Sequence, residues 1–167
     1  MALESYRAGM DLLDEGLTIE GKAAREASKR RQDKGHRKAK KRFQKASKKF
    51  VRALQHEPLL YQAHAGLGRA LEKSGEPDRA MSAYDRALEL KPQHTEVMAW
   101  RAVAQLKLGR LPEVQSTYAV LARRDPSQAA FLSDEISQWQ NTRDSGDDTA
   151  PDVANKAFDQ WFAAQSQ

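Results

Sequence analysis

The densest chemistry in this chain is cationic: Lys29, Arg30, Arg31, Lys34, Arg37, Lys38, Lys40, Lys41 and Arg42, followed by Lys45, Lys48, Lys49 and Arg52. Residues 22–52 hold 15 Lys/Arg against Glu26 and Asp33, a net of +13, while the remainder carries 13 basic and 21 acidic residues, a net of −8. The formal charge of +5 therefore hides two opposing fields. Closely spaced cations bind anions, because a polyanion releases its condensed counterions on contact. The nine cations from Lys29 to Arg42 are accordingly the candidate anion-binding arm, with an acidic protein, RNA, DNA or an anionic lipid surface as the partner. A solvated arm, or one paired with Asp11, Asp14, Glu15 and Glu20 or with Asp144, Asp147, Asp148 and Asp152, is the other reading of the same charges. Phe43 and Phe50 are the aromatics in this region and both have core spacing, which argues against base stacking on a single strand.

Bond-making chemistry finds no comparable constellation. His36, His56, His64 and His94 are scattered without a zinc-binding HExxH spacing, and the chain has no cysteine, so thiolate metal sites and disulfides are excluded. There is no glycine-rich phosphate loop and no nucleophile elbow, and Asp134 beside Glu135 reads as a solvated helix face. The expectation is a protein that is not an enzyme, with no catalytic residues, no metal and no cofactor.

The elements that would carry the arm follow from a period. Phe50, Tyr84 and Tyr118 recur 34 residues apart, as do Pro58, Pro92 and Pro126, and Gly75 and Gly109 keep the same interval. Ala46, Ala80 and Val114 stand four residues before each aromatic, and Ala53, Ala87 and Leu121 three residues after it. A glycine that ends one helix, a small residue where two helices cross, an aromatic between units and a proline that stops the second helix describe a repeated helical hairpin. Through His64, Leu67, Gly68, Leu71, Gly75, Ala80, Tyr84, Ala87 and Pro92 the sequence resembles the tetratricopeptide repeat (TPR) family, and small bacterial members with a basic insertion in the first repeat in particular. The expected fold is all-α: a TPR-type solenoid of about three helical hairpins, the first interrupted, with a C-terminal capping helix and a separate amphipathic tail helix.

Residues 1–140 are expected to form the repeat domain, with an interrupted repeat at 1–60, full repeats at 61–94 and 95–128, and a capping helix at 128–140. In the first repeat Ser5, Ala8, Gly9 and Leu12 match the opening helix and Gly16 its end, and about 25 extra residues separate that end from Phe50. The basic insertion is placed at 18–42. Ala39, Phe43, Ala46, Phe50, Ala53 and Leu54 recur at helical spacing, but no such stripe exists between 18 and 38, which reads as a projecting helix or a mobile arm. In the repeat at 95–128, Met98, Arg101, Ala102 and Gln105 replace the family's preferred types, so its first helix is expected to pack less tightly.

The resemblance also implies a concave wall made by the first helix of each hairpin, with Tyr6, Met10 and Leu13, then Gln62, Ala65, Arg69 and Glu72, then Glu96, Ala99, Val103 and Leu106 facing inward. The ligand implied is an amphipathic helix or extended apolar peptide, since Ala65, Arg69, Ala99 and Val103 do not reproduce the lysine and asparagine clamp of chaperone-tail receptors. The competing reading is that apolar residues on this wall are simply core. The expected function is a non-catalytic protein-interaction adaptor with the basic arm touching an acidic partner; the second reading is a nucleic-acid- or anionic-membrane-associated protein using 22–52.

Leu132, Ile136 and Trp139 give the capping helix its apolar stripe, and residues 141–151 read as a flexible acidic linker. In the tail helix, 152–167, Phe158, Trp161 and Phe162 share one face and are expected to dock along the cap near Trp139, in the concave groove, or on another molecule. No run approaches the roughly 18 apolar residues of a spanning helix, and no basic start precedes an apolar run. Cytoplasmic residence is expected, or periplasmic residence if a leader had been removed.

Overall fold

The computed structural model describes residues 1–144 and 152–165, through which run eight α-helices and no strand. They are α1 (Ala2–Ala24), α2 (Lys29–His56), α3 (Tyr61–Ser74), α4 (Pro77–Leu90), α5 (Thr95–Lys107), α6 (Leu111–Arg124), α7 (Pro126–Asp144) and α8 (Asp152–Gln165). They pack as sequential hairpins and divide into two compact units, Met1–Val97 and Met98–Gln167.

The 34-residue period sets the turns. Gly75 and Gly109 have φ of +87° and +69°, the left-handed conformation that a Cβ disfavours. At each, two backbone bonds close the helix end: Gly75 N–H to Glu72 C=O (3.1 Å) and Glu76 N–H to Leu71 C=O (2.9 Å), then Gly109 N–H to Leu106 C=O (3.1 Å) and Arg110 N–H to Gln105 C=O (2.9 Å). This paired pattern caps orphan carbonyls. A proline in the first turn, Pro77 in α4 and Pro112 in α6, then starts the returning helix where its missing N–H costs nothing.

In the first unit α1 packs antiparallel on α2, α2 on α3, and α3 on α4. Phe50 is fully buried between two glycines: a Cβ on Gly9 would lie 2.8 Å from its ring, and one on Gly66 would lie 2.5 Å from it. Gly68 faces the Tyr84 ring in the same way, so the equivalence of Gly9 with Gly68 holds in three dimensions. Gly16 does not end a helix as expected. It sits within α1 against Phe43, and α1 continues to Ala24.

The segment 18–38 is likewise not a mobile arm. It extends both helices of the first hairpin, joined by residues 25–28. Gly9, Gly16 and Ala23, seven residues apart on α1, meet Phe50, Phe43 and Gly35 of α2, and a Cβ on Gly35 would fall 2.5 Å from that of Ala23. Ala23 and Ala39 are buried. The packing there uses small residues at close approach, so a search for bulky apolar side chains passes over it. Glu20 pairs with Lys73 at 3.1 Å near the end of α3, and Lys40 reaches the α3–α4 turn at Gly75. Beyond Lys40 the hairpin continues through the eleven residues 29–39 of α2, about 16 Å of helix.

In the second unit one core joins Ala99, Val103 and Leu106 of α5 with Val114 and Leu121 of α6, Leu132 and Ile136 of α7, and Phe158 and Phe162 of α8. The expectation of loose packing in α5 is overturned: Ala99 and residues 102–106 are all buried. Small Ala99, Ala102 and Ala104 let the helix sit deep. Gln105, where the preceding repeat has Leu71, is 2% exposed and its Oε1 has no hydrogen-bond donor among the described residues. Gln105→Met keeps the shape and removes the unpaired carbonyl, and is expected to stabilise by about 1 kcal/mol. Scanning calorimetry should show a midpoint raised by roughly 2–4 °C. An unchanged or lowered midpoint would mean that the carboxamide is already satisfied.

α7 runs to Asp144, past the expected end at 140, and residues 145–151 of the expected acidic linker lie outside the described residues. No helix among the described residues is long and apolar enough to cross a membrane.

Candidate functional site

Two surfaces were marked out by sequence, and they fare differently. On the implied concave wall, Leu13, Ala65, Arg69, Glu72, Ala99, Val103 and Leu106 are all buried. Leu13 packs with Phe43 and Phe50, and the α5 residues belong to the core of the second unit. Arg69 donates to Glu72 at 2.8 Å in a buried ion pair along α3, so its guanidinium faces a carboxylate of its own helix. Tyr6 and Met10 are half-buried, with the Tyr6 ring 6.0 Å from Phe50, and Gln62 and Glu96 are exposed. Burial, with the neighbouring Tyr61 adding to it, pushes the Tyr6 phenol above its ordinary pKa. Core packing therefore accounts for most of this set.

The cations behave in the opposite way. Lys29, Arg30, Arg31, Lys34, Arg37, Lys38, Lys40 and Lys41 are exposed and Arg42 is half-buried. Arg31 and Arg42 take internal carboxylates, Glu26 at 3.8 Å and Glu15 at 3.0 Å, and Arg37 Nε donates to the Asp33 carbonyl at 3.3 Å. Internal pairing thus covers only part of the arm. The remaining charge is organised by the helix: Lys34, Lys38, Lys41, Lys45, Lys48 and Arg52 alternate steps of four and three residues and are all exposed. Such spacing draws one straight row along α2, about 27 Å long with a cation every 5 Å or so. Among the described residues none of the six forms a salt bridge.

At its proximal end the row borders a cleft of about 610 Å³ between α2, α3 and the start of α4. Val51, Leu67 and Leu71 supply apolar surface there, and Lys48, Arg52 and Arg79 supply charge. Val51 is 41% exposed, one of few large apolar side chains left in water. Glu76, at one end of the cleft, accepts hydrogen bonds from Arg79 (2.5 Å) and Ser74 (3.0 Å). Those two bonds, the Arg79 one first, hold its carboxyl below the usual pKa against a smaller opposing effect of burial, with the charges of Arg79 and Lys40 assisting. Sequence reasoning missed this cleft because it sorted α2 into its cations and its core stripe and left Val51 out of both. The signal was Val51 inside the row, beside Lys48, Arg52 and Gln55 at i−3, i+1 and i+4.

The tail helix lies on α6 and α7. Phe158 meets Trp139 edge-on at 6.0 Å, Trp161 meets Tyr118 edge-on at 5.6 Å, and Gln140 Nε2 donates to Asp159 at 2.7 Å. Phe158 and Phe162 are buried and Trp161 is half-buried. No group of three or more His, Cys, Asp or Glu that could hold a metal ion occurs among the described residues.

Two family models described as tetratricopeptide repeat match the chain, one over residues 36–95 and the other over residues 71–133. No curated protein matches it.

Proposed function

Over residues 36–133 this chain belongs to the tetratricopeptide repeat family, whose domains generally bind other proteins and are typically non-catalytic, and from that premise we propose a two-part adaptor. The hairpin repeats are the scaffold, and the outer face of α2 is the contact for an acidic protein partner. The observation that carries this reading is the exposed row from Lys34 to Arg52, held straight by a helix whose other face is buried through Ala39, Phe43, Ala46, Phe50 and Ala53. A rigid row loses little conformational entropy on binding, and its potential steers an acidic partner toward it. The concave wall contributes at most through Tyr6, Met10, Gln62 and Glu96, the members of that set which retain exposure in the first unit.

Polyglutamate is the simplest probe. Fluorescence anisotropy should show salt-sensitive binding, weakened at least about tenfold in the K34E/K38E/K41E variant, whose reversed side chains all sit in water. Unchanged affinity in that variant, with helix content intact by circular dichroism, would remove the α2 face from the function.

A further inference from the structure

We propose that the cleft lined by α2, α3 and the start of α4 is a docking site for an acidic amphipathic helix. The proposal rests on the reading of α2 as the contact for an acidic protein and gives that contact a shape. Three features of the cleft select its occupant.

The first is its mixed chemistry. Val51 and Leu67 form an apolar floor over the buried Leu71, while Lys48 and Arg52 stand around it and Arg79 is held by Glu76. Glu76 is already satisfied by Arg79 and Ser74, so the net field at the rim is positive. A polyanion without apolar groups would leave the floor wet, and a neutral apolar peptide would leave the cations unmatched. An occupant with leucine-like residues flanked by carboxylates meets both demands.

The second is the backbone. Gln44, Ser47, Lys48, Val51 and Arg52 lie inside α2 and Leu67 inside α3, where the peptide groups are bonded along the helix. The cleft has no free strand edge. An extended peptide laid in it would lose water from its own N–H and C=O groups without replacement, whereas a helix satisfies them internally. The third is the repeat of the row itself. Steps of four and three residues on α2 are the steps by which side chains of a partner helix recur on one face, so carboxylates at i, i+4, i+7 and i+11 stay in register with Lys41, Lys45, Lys48 and Arg52. Nucleic acid lacks both the apolar stripe and this spacing, and no exposed aromatic in the cleft offers a base a stacking surface.

The test compares two probes of equal charge on the full chain: a helical peptide of about 18 residues with leucines at i, i+4 and i+7 between glutamates, and polyglutamate. The expected result is that the amphipathic peptide binds at least about tenfold more tightly, and that Val51→Asn removes this advantage while leaving polyglutamate binding unchanged. Val51 is exposed, so the substitution should not disturb folding. Equal affinity for the two probes, with no effect of Val51→Asn, overturns the cleft but leaves the acidic-partner reading standing. Failure of both probes to bind overturns both. Tighter binding of a 20-base-pair duplex than of either acidic probe, with a steep salt slope, also overturns both and assigns the row to nucleic acid.

Discussion

Replacing Phe50 with alanine should lower the stability of the first unit by about 3–5 kcal/mol, a large share of what a domain of this size possesses. The ring is wholly buried, and it touches three helices: its own α2, α1 at Gly9 and α3 at Gly66. Both glycines leave room for it alone. Neither backbone can move inward to close the gap without separating from another neighbour, so the cavity should persist and add its own cost to the lost transfer energy. Urea titration followed by circular dichroism should show an earlier midpoint with an unchanged slope, and Phe50→Leu should lose distinctly less. A loss below about 1 kcal/mol for the alanine variant would mean that α1 and α3 do not depend on this ring for their contact with α2.

A comparable loss, about 3–5 kcal/mol, is expected for Phe158→Ala in the second unit. Phe158 is 1% exposed, packs edge-on against Trp139 and lies 5.4 Å from Trp161 between ring centroids. A helix as short as α8 is marginal in water, so its order depends on this docking. Hydrogen exchange should therefore quicken throughout Asp152–Gln165, and tryptophan emission should shift to the red as Trp139 and Trp161 gain water. Retained protection across α8 would show that Trp161 and Phe162 suffice to hold it.

The repeat was legible in sequence because its signals are backbone requirements. A left-handed glycine and an aromatic at a fixed distance from it admit few other readings, and Gly75, Gly109 and Tyr84 stand where the period put them. The first hairpin was less legible. Gly16 occupies the position of a terminating glycine, yet a glycine inside a helix costs only about 1 kcal/mol, and packing against Phe43 outweighs that. The extension was obscured for a related reason, since Ala23, Gly35 and Ala39 present no bulky stripe. On the implied wall, periodicity could say which face Ala99, Val103 and Leu106 share but not whether a ligand or the protein itself covers it. The cleft at Val51 depends on the approach of three helices, which no single helix's pattern contains.

The seven-residue ladder of Gly9, Gly16 and Ala23 makes the first hairpin a ruler with a fixed graduation. Seven residues added to each of α1 and α2 would lengthen the tip by about 10.5 Å and return both helices to nearly the same facing, within about 20°. The cationic row would then continue in line. An addition of four residues would turn the tip by about 40°, twice as far, and a change to one helix alone would break the match of small residues. Reach and charge in this chain can therefore vary in quantised steps while the repeats behind them stay as they are.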